Sequence, residues 1–193
     1  MGVESSSETC KITHKSIFMT NTIIMERSCV SLIACVKEAV DLFLRETPNL
    51  LDFNAHEQSM SHRIAFYLER RFADLNVDCE YNKHLSGAKE LIVQENRYKH
   101  CSCASCHKRT AQHTEMAEVF FRPDIVVHER GSDSQNLVAI EIKKKDYCLF
   151  DQAKLMALTK LDGEYHYKLG VFACFPNGSP EYAFYADGAQ LCR

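Results

Sequence analysis

The chain has 193 residues, a formal net charge of −3 and 25% charged residues. That is enough for one ordinary folded domain, and it excludes a polycation that coats nucleic acid: any such contact needs a local basic patch. Ten cysteines with no apolar leader point to a reducing, cytoplasmic setting, where they serve as thiols or metal ligands.

Residues 1–28 read as an N-terminal arm, Ser- and Glu-rich at its start and partly disordered. Residues 29–193 read as a single α/β domain. The first helix is expected over 29–47: Val30, Ile33, Val36, Val40 and Phe43 recur at three- and four-residue spacing, and Pro48 ends it. Lys37, Glu38 and Asp41 interrupt its apolar run, which argues against a membrane span. A second helix is expected from Ala55 to Phe72, with Asn54 as its cap and Phe53, Met60, Ile64 and Leu68 on one face. Glu57 heads that apolar stripe, where a carboxylate needs a partner or a cation.

A first strand follows in "NVDCEYNKHL" and a short one in "ELIV". A Cys/His-rich insertion covers about 95–118. The clearest strands are "PDIVVHE" and "NLVAIEIKK", joined by the turn-rich "RGSDSQ". "DYCLFDQAKLMALTKL" reads as a helix capped by Asp146. "KLGVFACFP" and "EYAFYA" are two further strands around an "NGSP" turn. The order is helix, three strands, helix, two strands, which describes a mixed central sheet flanked by helices.

Alternation along "NLVAIEIKK" sets Leu137, Ala139, Glu141 and Lys143 on one face and Val138, Ile140 and Ile142 on the other. Glu141 and Lys143 are then about 6.6 Å apart along the strand. Asp124 opens the preceding strand. If the two strands pair, Asp124 and Glu141 converge, and two carboxylates suit Mg²⁺ or Mn²⁺. Such an ion activates water and stabilises charge on a phosphodiester. Lys143 beside it orients or deprotonates the water, and Glu57 completes the acidic cluster. Lys144 and Lys145 extend a basic run toward phosphate, and Arg63 is a further candidate contact.

The pair Pro123–Asp124, the tripeptide Glu141–Ile142–Lys143, the hairpin between them and the order of elements resemble the PD-(D/E)XK nuclease superfamily over about residues 54–185. Within it the chain is similar to a group of small bacterial and phage-like proteins. The resemblance implies a restriction-endonuclease-like core of αβββαβ order. It implies metal binding by Asp124, Glu141, Glu57 and the main-chain carbonyl of Ile142, and assistance by Lys143. Gln152 matches a polar position that several members turn toward water or phosphate. The implied activity is metal-dependent hydrolysis of nucleic acid, DNA before RNA, as a homodimer or within a larger complex. The implied context is defence or a mobile element. The competing reading is an inactive nucleic-acid- or protein-binding module of the same fold.

A second constellation is "HCSCASCHKRTAQH". Cys101, Cys103 and Cys106, with His107 or His113, offer a soft set for a structural Zn²⁺. Lys108 and Arg109 give the same loop a basic surface for phosphates.

Overall fold

A computed structural model describes residues 27–53, 55–85, 87–88, 90–94, 101, 103 and 116–191. Most of the expected N-terminal arm, with Asn54, Cys106, His107, Lys108, Arg109 and His113, lies outside the described residues. Helix α1 spans Cys29–Glu46, the one-turn α2 Asn49–Asp52 and α3 Glu57–Glu69. Strand β1 (Asn76–Cys79) is followed by a small hairpin, β2 (Lys83–His84) with β3 (Gly87–Ala88). A longer hairpin pairs β4 (Glu90–Gln94) with β5 (Met116–Phe120). Then come β6 (Ile125–His128), β7 (Val138–Lys143), helix α4 (Leu149–Leu158), β8 (Leu169–Cys174), β9 (Glu181–Ala186) and β10 (Ala189–Gln190).

The main sheet has the order β1-β6-β7-β8-β9-β10. Its pairs are antiparallel except β7 with β8, which are parallel. Parallel neighbours cannot be joined by a tight turn, so α4 carries the chain across the sheet between them. This is the mixed α/β layering expected from the sequence, with two added hairpins.

Two apolar layers sandwich the sheet. On one side α1 and α3 bury Leu32, Val36, Val40, Phe43, Met60, Ile64 and Leu68 against Val138, Ile140 and Ile142. On the other, α4 and the β4–β5 hairpin cover Val126, Ala139 and Phe172. Ser28 caps α1 by accepting the Ser31 N–H at 3.3 Å. Thr47 closes its far end through Oγ1 to the Phe43 carbonyl at 2.8 Å. Among the described residues no helix is long and apolar enough to cross a membrane.

Several expectations change at element ends. Val30 and Phe53 are exposed, because each sits at a helix margin where the stripe no longer faces the sheet. Leu137 precedes β7 and joins the α1/α3 layer, not the face of Ala139. His56, not a residue before it, caps α3 through Nδ1 to the Gln58 N–H at 3.3 Å. Cys148, not Asp146, occupies the cap position of α4.

Helix α4 approaches β8 closely at Gly170. A Cβ there would stand 3.1 Å from Leu155 Cβ and 3.3 Å from both Thr159 Cγ2 and Tyr185 Cβ. Those contacts are with packed side chains on two elements, so the helix would have to lift. Gly170→Ala is therefore expected to lower unfolding stability by about 1–3 kcal/mol. Urea denaturation checks this, and an unchanged midpoint would show that α4 has slack.

Candidate active site and thiol cluster

The β6–β7 ladder stops with Ile125 opposite Ile140. One step further, the same register sets Asp124 opposite Glu141 and Pro123 opposite Ile142. Pro123 has no N–H for the ladder. Asp124 instead engages β7 through its side chain: Oδ2 accepts the Ile142 N–H at 2.6 Å. The Pro-Asp pair thus ends the ladder and satisfies the amide left over. Opposite residues of an antiparallel pair project to the same face. Asp124 and Glu141 therefore share the α4 side of the sheet.

Glu141 is 2% exposed, and its Oε1 lies 2.9 Å from Lys154 Nζ. That ammonium also sits 2.6 Å from Asp151 Oδ1 on its own helix, above the rings of Phe121 and Phe150. Asp151 Oδ2 is buried and is matched by charge, Lys143 Nζ at 3.3 Å, without a well-directed hydrogen bond. Lys143 Nζ in turn lies 3.4 Å from Glu57 Oε2, and Glu57 Oε1 accepts the Lys144 N–H at 3.1 Å. Glu141, Lys154, Asp151, Lys143 and Glu57 thus form a chain of alternating charge, with Asp124 beside it.

The sequence reading brought Asp124, Glu141, Lys143 and Glu57 together, and the structure gathers all four. It missed Asp151 and Lys154. Gln152 does not join the charges: its Oε1 accepts from Tyr185 OH at 2.5 Å, and its Nε2 donates to the Cys148 carbonyl at 3.4 Å. Both ends of the amide serve packing of α4 on the sheet. Arg63 lies on α3 over the Phe66 ring. Lys144 and Lys145 line a cavity of about 500 Å³ with Leu51, Asp52, Phe175 and Asn177, just past the end of β7.

Four carboxylates face two ammonium groups in this cluster. The excess falls on Asp124 and Glu141. Burial pushes the Asp124 carboxyl up to about 6, against the pull of the Ile142 N–H and Lys143. Burial also raises Glu141 well above the ordinary range, although Lys154 opposes it. Asp151 is buried too, but Lys154 and Lys143 outweigh that and hold it below the usual value. Burial alone would lower Lys143, yet Asp151 and Glu57 raise it above the normal lysine range. Lys143 therefore keeps its proton. This favours an orienting, charge-bearing role for Lys143 over that of a base.

These shifts fix the sign of a pH dependence. An unfolded Asp loses its proton near pH 3.9, whereas folded Asp124 holds it to about 6. Between those values the native state binds more protons, so stability falls as pH rises. Wild type is expected to lose up to about 3 kcal/mol from this group between pH 4 and 7. Asp124→Asn should lose correspondingly less over the same range. Parallel slopes in urea titrations of the two proteins would contradict the assignment.

The donors at this site suit a hard divalent cation. Asp124 and Glu141 bring oxygen ligands and an uncompensated negative charge. The Ile142 carbonyl leaves the strand on the same edge as its N–H, toward Asp124. Among the described residues, however, the one group of three ligating side chains within 4.8 Å of one another is Cys101, Cys103 and Cys148. Lys154 stands between Glu141 and Asp151, and Lys143 between Asp151 and Glu57.

Cys101 and Cys103 are the expected soft ligands, and Cys148 at the start of α4 joins them. All three are buried. Their sulfurs are close, with Cys101 to Cys103 at 3.4 Å and Cys103 to Cys148 at 3.5 Å. This cluster could bind a metal. Family models, curated proteins and solved structures were each compared with the chain, and none matches.

Proposed function

We propose that the chain is a Mg²⁺- or Mn²⁺-dependent nuclease with a restriction-endonuclease-like core, acting on DNA before RNA. The observation that carries this is Asp124 set opposite Glu141 on the same sheet face, with Lys143 two residues on and four carboxylates facing two ammonium groups. Asp124, Glu141 and the Ile142 carbonyl would hold the cation. When bound, the ion supplies a more acidic water and neutralises charge on the phosphodiester.

The chain's own groups do the rest. Lys154 counters the burial that favours protonation of Glu141. Asp151 and Glu57 grip Lys143 Nζ from two elements and fix its position. The Lys143 ammonium then orients a phosphate oxygen and offsets developing charge. Lys144 and Lys145, at the adjoining cavity, supply the local basic patch that an acidic chain needs for phosphate contacts. A second copy or a larger complex would provide targeting, in defence or mobile-element traffic. For the thiol cluster we propose zinc in a structural role.

One observation favours a second reading. Lys154 Nζ already lies 2.9 Å from Glu141, so an internal cation neutralises a prospective ligand. On that reading the fold is an inactive binding module. Purified full-length chain incubated with plasmid, linear duplex, single-stranded DNA and RNA, with Mg²⁺, Mn²⁺ or chelator, separates the two. Cleavage is expected only with metal, falling on the order of 10²-fold in Lys143→Ala. Failure to cut any substrate with either metal would leave the binding module. Equal cutting by the variant would indicate a contaminant.

A further inference from the structure

The three-thiol cluster sits at a mechanically specific place. Cys148 is the cap residue of α4, and Cys101 Sγ accepts the N–H of Leu149, the first residue of that helix, at 3.3 Å. The Cys101 thiol also lies 3.8 Å from the Tyr147 carbonyl. Cys148 makes no side-chain cap to its own helix, so Cys101 reaches across 48 residues to satisfy that end. The first N–H groups of a helix carry partial positive charge and favour an anion. A thiolate at Cys101 is therefore stabilised by the helix it touches.

The spacing of the sulfurs also matches a shared ion. Thiolates around one tetrahedral Zn²⁺, each at about 2.3 Å from the metal, lie about 3.8 Å apart. The separations of 3.4 and 3.5 Å are near that figure, and far beyond the roughly 2.05 Å of a disulfide. Three soft, buried donors exclude the hard cations that suit the carboxylate site. The fourth position of a tetrahedral ion is left for one further donor.

We propose that Cys101, Cys103 and Cys148 bind a soft cation of the zinc class, and that this ion staples Cys101 and Cys103 to the N-terminus of α4 and so holds the helix in place. Asp151 and Lys154 are borne about one and about two turns further along that helix, within reach of Lys143 and Glu141. The site thus sets the register of the charge network from its helix N-terminal end. The staple itself stands independently of nuclease activity. Its consequence for cleavage rests on the function proposed above.

The test reads metal and helix, not cleavage. Elemental analysis of full-length wild type should find about one zinc per chain, lost at least tenfold in Cys148→Ser and retained in Cys79→Ser, whose thiol is exposed and outside the cluster. Co²⁺ in place of zinc should give thiolate charge-transfer absorption in wild type and not in Cys148→Ser. Removing zinc from wild type with a chelator should speed amide exchange at 149–154 at least about tenfold, with 169–174 unchanged. The chelation arm needs no variant, so misfolding of Cys148→Ser cannot mask the answer. Zinc retained by Cys148→Ser, no zinc or cobalt uptake by wild type, or unmoved exchange in α4 would each overturn the staple. A chain that binds zinc in this way yet never cuts nucleic acid would refute only the nuclease.

Discussion

Asp124→Asn is expected to cut metal-dependent cleavage on the order of 10³-fold while leaving the fold intact. The upper end of that range follows from removing one charged group at a preorganised, water-poor site. Asn is the informative substitution because it keeps the shape and an oxygen that can still accept the Ile142 N–H, now made at 2.6 Å. Ala would orphan a buried amide at a cost of about 1–3 kcal/mol and confuse lost chemistry with lost structure. The neutral variant should also be as stable as wild type or more so at pH 7, since the native carboxyl there is ionised against its burial. The checks are single-turnover cleavage and urea titration on the same preparation. An Asn variant that cleaves at the wild-type rate would remove Asp124 from the chemistry.

Lys154→Met is expected to be the most damaging change to stability, at about 3–5 kcal/mol at pH 7. It removes the ammonium shared by Glu141 and Asp151, at 2.9 and 2.6 Å, and leaves two deeply buried carboxylates facing each other. Asp151 retains Lys143, but Glu141 retains no cation of its own. The loss should therefore shrink at acid pH, where Glu141 takes up a proton. The double variant Lys154→Met, Glu141→Gln should recover a substantial part of it. Millimolar Mg²⁺ should also recover part of it if the site takes a cation in the lysine's place. Additive losses in the double variant would show that the two groups are not coupled as the distances imply.

Much of this site was legible because strands have a two-residue period. Alternation alone put Glu141 and Lys143 on one face, and the apolar stripe of α3 singled out Glu57. Asp151 and Lys154 were open to the same logic. Asp151 lies four and seven residues before Leu155 and Leu158, and Lys154 four before Leu158, so both stand in the apolar face of α4. Cys148 gave no such signal. It is 45 residues from Cys103, and only the packing of α4 beside β4 brings the two together. Gln152 shows the converse limit: its position in the helix was right, but its hydrogen bond to Tyr185 depends on β9, two elements away.

The sheet order bears on how a second copy could attach. Its two margins are β1, four residues long, and β10, two residues long. On β1, Asp78 is further engaged by His128 at 3.0 Å and by Arg130. Among the described residues, both margin strands are too short to offer by themselves the long, unpaired row of amides and carbonyls through which another chain adds a strand. Strand addition by a second copy would therefore have to use the part of β9 that β10 leaves uncovered or the separate β4–β5 hairpin; any other homodimer would meet through helix or loop faces.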